Sequence, residues 1–96
     1  NNRTGSVSEM FAAALKEYGV AYVIGTTTNG CVGFTDLREF ADGSSMAVAT
    51  HVHQGPVTGN ELNGVGVTPD LAVERTSDDI ASARDPQLDA AIAYLQ

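Results

Sequence analysis

The chain has no tryptophan, a single cysteine, three prolines and only five basic residues among its 96. One cysteine excludes an internal disulfide and leaves the redox compartment open. Five Lys and Arg against twelve Asp and Glu give a net charge of −7. Such a balance argues against nucleic acid, whose phosphates would be repelled, and against an anionic membrane surface. No apolar run approaches the roughly 20 residues that a spanning helix needs. The length allows one small domain with limited capacity to bury a core.

What is present reads as mixed α/β, in the order helix, strand, hairpin, irregular segment, strand and helix. Val7, Met10, Phe11, Ala14 and Tyr18 fall on one helical stripe, and Gly19 is a natural C′ stop. Val20 to Ile24 is a short apolar run rich in β-branched and aromatic residues, the pattern of a buried strand. Asn29-Gly30 and Asp42-Gly43 are tight-turn signals, and Val32 to Phe40 is expected to pair with Ser45 to His53 as an antiparallel hairpin. Gln54 to Asn63 reads as a loop and Thr76 to Arg84 as a polar, acidic linker. Asp85 and Pro86 open a last helix whose apolar stripe is Leu88, Ala91, Ile92 and Leu95.

The residue that poses the functional question is Ser6, at the mouth of the first helix. Ser6-Val7-Ser8-Glu9 fits the capping box, in which the serine hydroxyl bonds the N3 amide and the glutamate reaches back. Capping is the commoner use of a serine there and stabilises by about 1 kcal/mol. The same position lies in the positive field of the helix dipole beside unpaired amides, which suits an oxyanion equally well. Spacing alone favours the cap.

Several segments together tell more. Asn1 through Glu9, the helix and glycine turn up to Thr26, Asp42-Gly43-Ser44, Gly64-Val65-Gly66-Val67-Thr68-Pro69-Asp70 and Asp85-Pro86-Gln87-Leu88 occur in one order. That order resembles the C-terminal processing (tail-specific) serine peptidases. The resemblance implies an α/β fold, part of a ClpP/crotonase-like core, with residues 1–96 forming a carboxy-terminal fragment of the catalytic domain. It implies peptide-bond hydrolysis through an acyl-enzyme on Ser6, with the Val7 amide as an oxyanion donor and no cofactor. The partners it implies are a peptide or protein substrate, the rest of the peptidase domain upstream of Asn1, and further copies in a homo-oligomer. An extracytoplasmic location follows from the resemblance only.

The chain also departs from that pattern. Members with a Ser/Lys dyad carry the lysine in a Phe-Gly-Lys-Gly loop, and Cys31 occupies that lysine's position here. The glutamine that orients the lysine aligns with Thr35. A thiol with a reference pKa of about 8.5 replaces a desolvated amine poorly as general base. Tricorn-like members take a histidine from upstream of the serine, and their downstream glutamate falls near Asn63, two places after Glu61. On this reading the base of Ser6 comes from outside these residues or is a residue that the motifs do not identify.

Two other constellations compete. His51 and His53 alternate along an expected strand and so share a face, as two metal ligands would, although no third ligand is set by spacing. Two such histidines are more often plain surface residues. Cys31, among small residues and with no adjoining cation, is expected to be a buried small hydrophobe. The alternatives to a peptidase are therefore a non-catalytic homologue that binds peptide or serves a structural role, and a His-x-His metal module.

Overall fold

A computed structural model describes all of residues 1–96. The elements run α1 (Val7–Glu17), β1 (Ile24–Gly25), β2 (Gly33–Glu39), β3 (Ser45–Val52), β4 (Leu71–Ala72), α2 (Ser77–Ala81) and α3 (Pro86–Tyr94). β1 and β4 pair in parallel, with Ile24 opposite Leu71 and Gly25 opposite Ala72. β2 and β3 form the expected antiparallel hairpin, closed at Asp42-Gly43, with a register shift between Phe34 and Thr35. Gly19 ends α1 at φ 69°, and the Asp85 carboxylate caps α3 by accepting from Leu88 N–H. Both helix signals in the sequence are therefore realised.

Three expectations are corrected. The strand anticipated over Val20 to Ile24 shrinks to Ile24–Gly25, and Val20 is largely exposed, because only Val23 to Gly25 finds backbone partners in the 70–73 segment. The supposed linker Thr76 to Arg84 contains the short helix α2, started by Thr76 and Asp79, which exchange hydrogen bonds across its first turn. The apolar stripe of α1 faces outward: Val7, Phe11 and Tyr18 are each about two-thirds exposed, whereas Glu9 and Ala13 are buried. A stripe turns inward only where something covers it, and of this one Met10 alone packs against the core.

The core is correspondingly small. Ala13, Val32, Leu62 and Val67 form it, with Met10 packed alongside. Both faces of the β2–β3 hairpin are exposed along its length. The radius of gyration is 17.0 Å, against about 12–13 Å for a compact domain of this length. No helix is long and apolar enough to cross a membrane.

Polar clamps hold this open arrangement together. Glu17 accepts the amides of Val57 and Thr58 and the Thr58 hydroxyl, tying the 55–61 loop to the end of α1. The Val57 amide, then the Thr58 hydroxyl, keep that carboxyl below its ordinary pKa. Lys16 bonds Thr68 O and pairs with Asp70 at 3.0 Å, while Asp70 accepts Val23 N–H. Tyr22 stacks flat on Tyr94 with ring centroids 4.3 Å apart, which docks α3.

Gly30 is required for geometry. Its φ is +76°, and a Cβ there would stand 2.9 Å from Val65 N. Gly30→Ala is expected to cost about 2–3 kcal/mol through strain and overpacking. Denaturant midpoints of the two proteins measure this, and an unchanged midpoint would show that the 64–66 loop does not seat there.

Candidate active site

Ser6 takes a backbone conformation that a capping serine does not need. Its φ is 57° and ψ −129°, in the positive-φ region that L-residues avoid, whereas an N-cap is ordinarily extended. Strain of this kind costs on the order of 1–3 kcal/mol and gathers at functional sites. The residues of a capping box are in position, and Glu9 reaches back to Ser6 N–H at 3.1 Å. The other half of the box is not a working hydrogen bond, because the Glu9 amide goes to Ser6 O at 2.9 Å and the serine hydroxyl makes no cap bond. Ser6 thus has a free, exposed hydroxyl on a strained turn.

Its surroundings are set by Glu9, which is fully buried. Oε1 accepts the Thr28 hydroxyl and Gly30 N–H, and Oε2 accepts Ser6 N–H and Cys31 N–H. Burial pushes this carboxyl up. The donors from Thr28, Gly30, Cys31 and Ser6 outweigh that and hold it below the usual carboxylate range. The Thr28 hydroxyl also accepts Val67 N–H at 2.7 Å, extending the network to the 64–68 loop.

Cys31 is brought against Ser6, since Cys31 O accepts Ser6 N–H at 2.9 Å. The expectation that Cys31 is buried is wrong: the thiol residue is exposed, because the loop buries Gly30 and Val32 on either side instead. Ser6 N–H is occupied by Cys31 O and Glu9. The Val7 amide, first of α1, donates to no group of the chain and remains available to an incoming anion. Asn63 stands behind the same loop, accepting Val32 N–H through Oδ1 at 3.2 Å. Glu61 lies apart, bridged to Gln54. Thr35 lies on β2 beyond the register shift, opposite Ala49.

The two histidines lie in different settings. His51 lies on β3 opposite Phe34, with Nδ1 2.9 Å from the Thr50 hydroxyl. His53 falls beyond the strand and sets its ring edge against Phe34, at 4.5 Å between centroids. Its Nε2 is buried and has no hydrogen-bond partner in the chain. No three His, Cys, Asp or Glu side chains converge as a metal site would require, and no hydrogen bond joins either histidine to Ser6.

Residues 1–73 match the peptidase family S41. The chain belongs to that family. This S41 chain is 33% identical to the tricorn protease of Thermoplasma acidophilum over 99% of its own length, and 34% identical to a tricorn-like protease C-terminal subunit of Sulfurisphaera tokodaii over 96%. It spans only 9% and 11% of those two relatives. A carboxyl-terminal-processing protease of Picosynechococcus is 36% identical over 76% of the chain and is covered to 17%. Among solved structures, the tricorn protease superposes with a TM-score of 0.79 and 31% identity, covering 99% of this chain and 9% of that one. The photosystem II D1 C-terminal processing protease superposes with a TM-score of 0.69 and 34% identity, covering 74% of this chain and 18% of that one. The α/β fold and membership of the C-terminal processing serine peptidases, both expected from the motifs, are thereby established.

What sequence reasoning missed in this S41 site is Glu9 as an internal anchor. The capping-box pattern drew attention to it, but its other donors lie about twenty residues farther along. The network makes a prediction with a definite sign. A carboxyl whose folded pKa lies below its unfolded value of about 4.3 contributes stability that is present above that value and lost as pH falls through the folded one. Glu9→Gln is therefore expected to destabilise the protein by about 2–3 kcal/mol at neutral pH, since an amide NH₂ would face N–H donors. The gap to the parent should narrow as pH falls below that range. A gap independent of pH, followed in acid by thermal unfolding, would contradict the assignment.

Proposed function

We propose that this chain carries the nucleophile of an S41 serine peptidase, with Ser6 as the attacking residue and the Val7 amide as one oxyanion donor. The observation that supports this most is the strained positive-φ backbone at Ser6, coupled with a free hydroxyl and an unoccupied amide at the start of α1. A base outside these residues takes the Ser6 proton as Oγ attacks the peptide carbonyl carbon. The carbonyl oxygen becomes the oxyanion and is met by Val7 N–H. Collapse of the tetrahedral intermediate breaks the C–N bond, the leaving amine takes the proton from the base, and water then hydrolyses the ester.

Cys31 has no part in proton transfer on this reading. It occupies the position of the family lysine, and its backbone serves by holding the serine turn. The competing reading, a non-catalytic homologue, draws on that same replacement. Labelling of the full-length protein by a fluorophosphonate separates the two: Ser6→Ala should abolish labelling, and absence of labelling in the parent would overturn the peptidase reading. Cys31→Ser should leave the labelling rate within about twofold, whereas a loss near the 10²-fold or more expected of a missing base would make the thiol the base.

Ser6→Gly offers a second check. Glycine accepts a φ of 57° without strain, so this variant should match or exceed the parent in stability, by up to about 1 kcal/mol, while losing labelling. A serine that stabilises as a cap would instead make Ser6→Gly less stable than the parent, as chemical unfolding would reveal.

A further inference from the structure

Four donors meet the Glu9 carboxylate, and three of them are backbone amides, those of Ser6, Gly30 and Cys31. The fourth is the Thr28 hydroxyl, which donates to Oε1 at 2.5 Å. Thr28 is thus the one side chain through which the buried charge is held. It is itself held from farther along the chain. Val67 N–H reaches the Thr28 oxygen at 2.7 Å, and Thr28 N–H returns a bond to Val67 O at 3.2 Å. Val67 belongs to the buried core, and Gly66 lies so close that a Cβ there would stand 2.5 Å from Thr28 O. The hydroxyl therefore has one fixed place, against the 64–68 loop.

Chemistry sets the direction of this series of bonds. An amide N–H only donates, and an ionised carboxylate only accepts. With Val67 N–H on its oxygen, Thr28 turns its own proton to Glu9, and no second arrangement satisfies both neighbours. Bonds in such a series polarise one another in the same sense. A carboxylate is planar, so pinning Oε1 also sets where Oε2 lies. Oε2 bonds both Ser6 N–H and Cys31 N–H, across the contact that Ser6 N–H makes with Cys31 O. We propose that Thr28 is a positioning residue for Ser6, its hydroxyl relaying the seating of the 64–68 loop, through Glu9, to the strained serine turn. The proposal rests on the peptidase reading, in which Ser6 is the nucleophile. Without the hydroxyl, Glu9 keeps only Gly30 N–H on Oε1, and Val67 N–H is left unpaired. The carboxylate is then free to turn, and Ser6 N–H retains only Cys31 O. Reactivity of the serine falls because its geometry loosens.

Fluorophosphonate labelling of the full-length protein, followed as rate against probe concentration, separates the maximal labelling rate from the half-saturating concentration. Thr28→Val keeps the shape of the side chain and removes the hydroxyl. It is expected to lower the maximal rate at least about tenfold, with the half-saturating concentration within about twofold of the parent's. Thr28→Ser keeps the hydroxyl, loses the methyl and should label within about twofold of the parent. Where the valine variant does not fold, Thr28→Ala gives the same comparison with serine. Leu62→Ala controls for general loosening, since it weakens the core while its side chain takes no part in the relay; its maximal rate should stay within about twofold. Labelling of a hydroxyl-free variant at the parental rate would overturn the proposal. So would a serine variant as slow as the valine one, which assigns the effect to the methyl, or a Leu62→Ala protein equally slow. Any of these results in a parent that labels removes only the relay, whereas a parent that does not label removes the peptidase reading beneath it.

Discussion

One buried carboxylate organises everything around Ser6. Glu9 supplies both acceptor oxygens to four donors drawn from two stretches of chain, the turn before α1 and the 28–31 loop, and the shared Thr28 hydroxyl carries the link on to the 64–68 loop. A buried charge is tolerable only when its hydrogen-bonding capacity is filled. Here that requirement is met by backbone amides from residues far apart in sequence, so satisfying the charge also fixes the loops relative to one another. The core of four apolar residues is too small to do this alone. Polar clamps at Glu17 and Asp70 repeat the device at the other end of the helix.

The strain at Ser6 follows from the same arrangement. Its N–H is held from two sides, by Cys31 O and by Glu9 Oε2, and its carbonyl is committed to the amides of Glu9 and Met10. With both peptide groups fixed, the backbone between them has little freedom, and the side chain is presented outward. Cys31 contributes to that presentation through its peptide groups, its carbonyl accepting Ser6 N–H and its amide donating to Glu9.

Local signals were the most legible part of the sequence. Gly19, Asp42-Gly43 and Asp85-Pro86 each act within a few residues of themselves, and each marks the boundary it was expected to mark. Ser6 and Cys31, both singled out from the motifs, lie side by side, Ser6 N–H donating to Cys31 O. Long-range facts were not legible. Whether Val20 would be covered, whether the Phe11 and Tyr18 face of α1 would turn inward, and whether Cys31 would be buried all depend on what packs against them, and periodicity reports only that a face is apolar. The Ser6 φ was hidden for a different reason: non-glycine residues in that region are held there by tertiary bonds, and no residue type announces it.

α1 also acts as a spacer. Glu9 and Glu17 lie eight residues apart on one helix, a rise of about 12 Å, and each grips a separate loop through backbone amides. A helix is a regular rod, so the distance between the two grips is fixed by its rise. The 55–61 loop and the serine turn are thereby held at a spacing set by the helix rather than by the small core.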